Sequence, residues 1–352
     1  MSHVIVFDGD ATGNVTTEGP KFYKRDGWYW ILCPAGGVAG GWQLAMRSKS
    51  PYGPYEWKRV LERGKTTMNG PHQGGWIHTK YGEDWFIHFQ DKGPYGRVCH
   101  LQPVDWSSGW PVMGNAGEPY WKFRKPKSDS KTIVNPVETD EFDSSKLGMQ
   151  WQWQNDYKES YGQATSMGFF RLFTYALPEL GDVSNLWYVP NMLLQKIPAD
   201  EFTATTKLSF CSRNSDQYVG LVCMSAEYSS VGLQRTEDGY ELQIRHNPNA
   251  MRTHLTDEVL TVDTLKPTQK GTPRKGRPAE MHIKDVYLRM SIKDSKVNYA
   301  YSIDGKKWKK AGGEYAMGKG RWIGSKIGFF AVDPNKTGRK GFIDIDWFRI
   351  SR

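Results

Sequence analysis

Apolar positions along this chain come in short runs that alternate with polar ones and break at glycine, the pattern of β-strands rather than helices. Gly19-Pro20 leads into Lys21-Phe22-Tyr23-Lys24, a turn at Asp26-Gly27, and an aromatic strand Trp28-Tyr29-Trp30-Ile31-Leu32. The same grammar returns when Gly70-Pro71 leads through His72-Gln73-Gly74-Gly75 into Trp76-Ile77-His78-Thr79, a turn at Tyr81-Gly82-Glu83, and Trp85-Phe86-Ile87-His88-Phe89. The offset is about fifty residues, the length of a four-stranded blade. Trp42 to Arg47 and Tyr55 to Lys58 extend the first repeat outward, and Val98 to Gln102 extends the second. These repeats predict blades of a β-propeller. A closed ring takes about four to eight blades, and residues 1–125 hold about two to three, so the propeller is expected to be partial.

From Glu118 to Lys131 the chain is rich in Pro, Lys and Ser without periodicity, which predicts a linker at about 118–131. Beyond it, period-two alternation recurs in Thr205 to Phe210, Tyr218 to Val222, Tyr240 to Ile244, Tyr287 to Ile292, Val297 to Ser302 and Phe342 to Phe348. Asp238-Gly239 and Asp304-Gly305 supply turns between strands. Residues 126–352 therefore read as a β-sandwich, and the fold class is all-β.

Composition adds limits. Aromatic residues make up 14% of the chain, which suits flat stacking surfaces of the kind that hold sugars. Lys and Arg exceed Asp and Glu by 47 to 38, a net charge of +9. Those charges are scattered, the densest basic stretch from Lys266 to Lys284 is broken by Pro267, Pro273 and Pro278, and no nucleic-acid-binding motif accompanies it. Nucleic acid is not an expected partner. The four cysteines (Cys33, Cys99, Cys211, Cys223) form no CxxC pair and show no zinc-ligand spacing with histidine, which argues against zinc. No apolar stretch approaches a membrane span, and Met1-Ser2-His3 opens no signal peptide. The expected location is cytoplasmic if the chain starts at Met1, and periplasmic or secreted if a leader precedes it.

Thr17-Glu18-Gly19-Pro20-Lys21-Phe22-Tyr23-Lys24, Pro34-Ala35-Gly36-Gly37, Arg47-Ser48-Lys49, Gly53-Pro54-Tyr55-Glu56, Asn69-Gly70-Pro71-His72-Gln73-Gly74 and Gly96-Arg97-Val98-Cys99-His100-Leu101-Gln102-Pro103 together resemble glycoside hydrolase family 43. The segment Gly148 to Trp153 and the later strands resemble the concanavalin-A-like sandwich attached to many of its members. The resemblance implies the inverting β-xylosidase and α-L-arabinofuranosidase chemistry of a five-bladed propeller, acting on xylo- or arabino-oligosaccharides. It implies that Glu18 is the general acid, that His72 lines the propeller pore beside a calcium or water cluster, and that Arg97 holds substrate hydroxyls. Trp42 and Gln73 join them as candidate substrate contacts. The family's Asp general base and the Asp that tunes the acid lie on blades expected to be outside this sequence. An inverting pair stands roughly 6.5–9.5 Å apart, so Glu18 supplies one half, and a chain carrying the missing blades is an expected partner.

Each residue also has a plainer reading. Glu18 could cap a strand, His72 could be a satisfied core histidine, Arg97 a surface ion-pair residue, and Trp42 a packing residue between blades. Asp8 and Asp10, close before Glu18, read as turn residues. In the sandwich, Glu138, Asp140 and Asp346 fall near its first and last strands, where oxygen ligands could hold a structural calcium or simply face solvent. Trp151, Trp153 and Trp187 are read as exposed aromatics. Non-catalytic glycan binding, or one half of a split enzyme, is the alternative to an intact hydrolase.

Overall fold

Alternation in the first hundred residues resolves into two antiparallel four-stranded sheets, each ordered as the strands follow in the chain. The computed structural model describes residues 3–176, 185–252, 255–320, 322–335 and 338–352. Its contacts divide it into a first unit, Met1–Lys92 with Arg97–Ile133, and a second, Gly93–Gly96 with Val134–Arg352.

In the first unit, one sheet holds β1 (Lys21–Arg25), β2 (Trp28–Ala35), β3 (Trp42–Ser48) and β4 (Glu56–Glu62), with a single helical turn, α1 (Gly37–Gly40), between β2 and β3. The other holds β5 (His72–His78), β6 (Asp84–Asp91), β7 (Arg97–Asp105) and β8 (Val112–Met113). Asp26 and Gly27 both have positive φ, 51° and 73°, which closes β1 on β2 through a two-residue turn of the hairpin-favouring hand. Between the sheets lie Trp30, Leu32, Val60 and Leu61 of the first, and Phe86 and Met113 of the second. Indoles mortar this core: Trp30 meets Trp106 at 5.1 Å and Trp110 at 5.8 Å, and Trp76 meets Trp106 at 5.3 Å, all edge to face. Arg25 covers Trp106 at 4.4 Å and bonds Asp84, while Arg47 covers Trp110 at 4.3 Å. Much of the aromatic content read as stacking surface is thus packing between blades.

The irregular segment after β8 is tied to the second sheet by one carboxylate. Glu83 accepts from the Lys127 amide at 2.8 Å, from Arg124 and from the Trp85 indole at 3.3 Å. The Lys127 amide first, then Arg124 and Trp85, hold Glu83 below the usual carboxylate range.

The second unit stacks two sheets, each of eight strands among the described residues. The strands in chain order are β9 (Gln152–Trp153), β10 (Gly162–Ala164), β11 (Phe170–Phe173), β12 (Tyr175–Ala176), β13 (Leu193–Lys196), β14 (Phe202–Ser212), β15 (Tyr218–Met224) and β16 (Tyr228–Arg235). They continue as β17 (Tyr240–Asn247), β18 (Glu258–Leu265), β19 (Gln269–Lys270), β20 (Met281–Lys293), β21 (Lys296–Ser302), β22 (Lys309–Ala316), β23 (Lys326–Asp333) and β24 (Phe342–Ser351). One sheet runs β10-β11-β24-β14-β20-β21-β22 and the other β18-β17-β16-β15-β23-β13-β9, with β19 and β12 at their margins. Period-two burial in β14 and β20 sends Phe202, Ala204, Leu208, Phe210, Met281, Ile283, Leu288 and Met290 into the shared core, against Val219, Leu221, Phe329 and Ala331 of the other sheet.

Trp151 departs from its expected exposure. It is 8% exposed, within the core, stacked on Phe142 at 5.6 Å and edge-on to Phe348 at 5.3 Å. Its indole N–H donates to Asp140 Oδ2 at 2.7 Å, which satisfies the one polar atom that would otherwise keep it at the surface. Trp153 and Trp187 are half-buried against the core clusters. Of the four cysteines only Cys99 is exposed, and all four are free. Cys211 and Cys223 sit in opposite sheets, on β14 and β15.

Candidate active site

Glu18 stands immediately before β1, its amide donating to the Pro34 carbonyl of β2 at 3.2 Å. Gly19 then turns the chain with φ 53°. On the neighbouring blade, Gln73 of β5 also has positive φ, 50°, and its Nε2 donates to Glu18 Oε1 at 3.1 Å. A Cβ on Gly19 would lie 2.5 Å from Gln73 Oε1 and displace that side chain, and the positive φ is what requires glycine there. The second entry turn also packs closely on α1: a Cβ on Gly70, φ 42°, would lie 2.2 Å from the Val38 carbonyl. Glu18 is exposed and Gln73 half-buried, at the junction of two blade-entry turns.

His72 opens β5, its backbone paired with Phe89 of β6; its side chain lies outside the described residues. Phe89 is 9% exposed and carries the Arg97 guanidinium over its ring at 4.6 Å. Arg97 itself is exposed at the start of β7, opposite Asp91. Backbone register therefore gathers His72, Gln73, Phe89 and Arg97 at one end of the second sheet, and Gln73 links that end to Glu18. The sequence does not mark Phe89: counting back from the Tyr81-Gly82-Glu83 turn puts it across from Gln73, and only a register shift between His72 and Gly75 brings it opposite His72.

Trp42 engages other groups. Its indole N–H donates to Asn14 Oδ1 at 3.0 Å, the Arg59 guanidinium covers its ring at 3.7 Å, and it packs on the backbone at Gly36. Asp8 accepts from the Ala11 amide at 3.0 Å and so closes a short turn ahead of Glu18.

Chemically, the Gln73 amide orients one carboxyl oxygen of Glu18. Arg97 presents a fixed fork of donors, suited to sugar hydroxyls. A buried and a half-buried histidine, His88 and His100, pair across β6 and β7 of the second sheet. His88, 2% exposed, stacks on His100 at 5.4 Å and approaches the Phe89 carbonyl with Nδ1 at 3.3 Å, which assigns its proton to Nδ1. Burial holds its pKa down at about 4.

In the sandwich, Asp140 pairs in backbone register with Phe348 of β24, as the expected closeness of first and last strands requires. The three carboxylates considered for calcium form no common ligand group. Glu138 pairs with Arg352 at 2.7 Å, Asp346 with Lys207 at 2.8 Å, and Asp140 accepts from Phe142, Gln150 and Trp151. Among the described residues, the group of three His, Cys, Asp or Glu ligand atoms lying within 4.8 Å of one another is Cys211, Glu280 and His282.

Blade-like sheets followed by a sandwich are also the order in which known families match this chain. Residues 2–111 match the family described as glycosyl hydrolases family 43, and residues 139–351 match the beta-xylosidase C-terminal concanavalin A-like domain. The chain belongs to glycoside hydrolase family 43. It is 34% identical, over 88% of its length and 54% of the relative's, to a Xylanibacter ruminicola protein named for beta-xylosidase activity. It is 29% identical, over 94% of its length and 59% of the relative's, to the beta-xylosidase of Formosa agariphila. A family 43 protein of Bacillus licheniformis superposes with a TM-score of 0.76 at 25% identity, over 95% of this chain and 65% of that one. The chain thus spans between about half and two thirds of the length of the relatives it matches.

Proposed function

We propose that this chain acts in the hydrolysis of xylosidic or arabinofuranosidic bonds, with Glu18 as the proton donor to the leaving oxygen of an inverting reaction. The observation that carries this reading is the Gln73–Glu18 hydrogen bond across two blade-entry turns, which positions a carboxyl at the blade ends. Arg97, seated on Phe89, is the group that would orient a sugar hydroxyl. The relatives' names support the substrate class: beta-xylosidases and, at 25% identity, the Bacteroides ovatus non-reducing end alpha-L-arabinofuranosidase. Inversion places the water-activating carboxylate roughly 6.5–9.5 Å from the acid.

The test is a leaving-group series. A general acid matters most when the departing oxygen is a poor leaving group. Glu18→Gln is therefore expected to slow xylobiose and alkyl xylosides by about 10²–10⁴-fold, and nitrophenyl β-xyloside or α-L-arabinofuranoside far less. Because the general base is expected on blades outside this sequence, the series is run with a chain that supplies them; an equal loss across the series, no loss, or no turnover of any member would then overturn the assignment.

A further inference from the structure

We propose that Cys211, Glu280 and His282 form a binding site for a zinc-class divalent cation on the outward face of the sandwich sheet that contains β14 and β20. Sequence spacing conceals this group, because Cys211 is far from the other two along the chain. Strand pairing supplies the proximity: Cys211 of β14 is the direct cross-strand partner of His282 of β20. Glu280 lies two residues before His282, so period-two alternation aims both at the same face. Their neighbours Phe210, Met281 and Ile283 point the other way, into the sandwich core.

The three ligand atoms converge. His282 Nε2 lies 3.4 Å from Cys211 Sγ, close to the separation of two ligands on one tetrahedral ion, and 2.8 Å from Glu280 Oε1, a hydrogen bond that a shared ion would open by about 0.5 Å. A single ring nitrogen cannot satisfy both neighbours well with the one proton it can carry. A cation at the centre of the triangle would give each of the three a bond. Arg213 donates to the other oxygen, Glu280 Oε2, at 2.9 Å, and so fixes the carboxylate from behind without occupying the atom that faces the histidine.

The donor set selects the ion. Thiolate sulfur, imidazole nitrogen and one carboxylate oxygen suit zinc and its borderline-soft neighbours, whereas calcium takes six to eight oxygens. Cys211 and His282 also line a surface cavity of about 250 Å³, which leaves room for a fourth, exchangeable ligand such as water. A bulge opens this cavity: the β14–β20 register shifts between Leu208 and Phe210, and Asp285 there has φ 57°. Metal binding replaces the S–H bond by an S–metal bond and delivers that proton to the buffer.

The full chain, free of any affinity tag, would be titrated with Zn²⁺ against a chromophoric chelator and with Co²⁺ in the spectrometer. The expected result is one Zn²⁺ per chain and a thiolate-to-cobalt charge-transfer band. Cys211→Ser should abolish that band, and His282→Gln should weaken Zn²⁺ binding by at least about tenfold. Cys99→Ser, which removes the exposed thiol, should change neither. Absence of stoichiometric binding, a band that survives Cys211→Ser, or one lost with Cys99→Ser would overturn the site. If Cys211→Ser fails to fold by circular dichroism, the outward-facing variants His282→Gln and Glu280→Gln decide. Unaltered Zn²⁺ affinity in both then sinks the proposal.

Discussion

Glu18 is placed in part by its neighbours. The positive φ at the next residue requires glycine, and the Gln73 side chain approaches that glycine closely on its way to the carboxyl. The same sheet shows how burial tunes a second ionisable group. His88 is nearly inaccessible and neutral, with its pKa depressed from 6.5 to about 4. A histidine whose folded pKa is depressed binds fewer protons than in the unfolded chain, so its contribution is present above pH 6.5 and is lost as pH falls toward 4. At most about 3 kcal/mol is at stake for a shift of that size. His88→Gln is expected to flatten the acid side of the stability profile between those pH values, measured by urea denaturation at stepped pH. A variant that loses stability with the same slope as the parent would show that other groups set the acid limit. Glu18 itself was legible from its motif, whereas Phe89 was not, because an aromatic in an aromatic strand carries no local mark of what crosses its ring.

At the scale of elements, short-range grammar was readable and long-range pairing was not. Asp26-Gly27 announced the β1–β2 hairpin because two positive-φ positions in sequence have few other uses. Nothing local says that β14 will lie between β20 and β24, yet that placement creates both the Cys211–His282 neighbourhood and the outer face of the sheet. Asp140 illustrates the same limit. As one of several acids near a strand it suggested an oxygen ligand, but the fold surrounds it with N–H donors from Phe142, Gln150 and Trp151, at 2.9, 3.2 and 2.7 Å. Its backbone meanwhile exchanges two hydrogen bonds with Phe348. The carboxylate therefore acts as the acceptor that lets Trp151 enter the core. Asp140→Ala would leave a buried indole N–H without its partner and should destabilise the sandwich by on the order of 3 kcal/mol. Asp140→Asn, which keeps one acceptor oxygen, should cost less. Denaturant midpoints of the two variants check this, and equal losses would show that the negative charge, not the acceptor geometry, holds the indole.

For the whole molecule, 47 basic against 38 acidic residues leave a net positive charge, part of which is engaged within the fold. Many cations are occupied as packing groups or pairs. Arg25 and Arg47 lie over indoles of the blade core, Arg171 is bidentate to Asp344, and Lys207 bridges Asp285 and Asp346. Cations held in this way cannot line a groove that tracks a phosphate backbone. The blade-end group offers instead an uncharged amide, a guanidinium fork and an aromatic ring, chemistry matched to a neutral sugar. The two classes of ligand differ in how they respond to salt. Binding to a polyanion releases counterions, and log K falls with log salt in proportion to the phosphates neutralised, whereas a neutral glycan releases none. Xylobiose affinity measured by calorimetry is therefore expected to change less than about twofold between 50 and 200 mM salt, against a loss of about 10³-fold or more for a protein making several phosphate contacts. A steep decline for xylobiose would mean that charge, rather than the Glu18–Gln73–Arg97 geometry, governs what this surface holds.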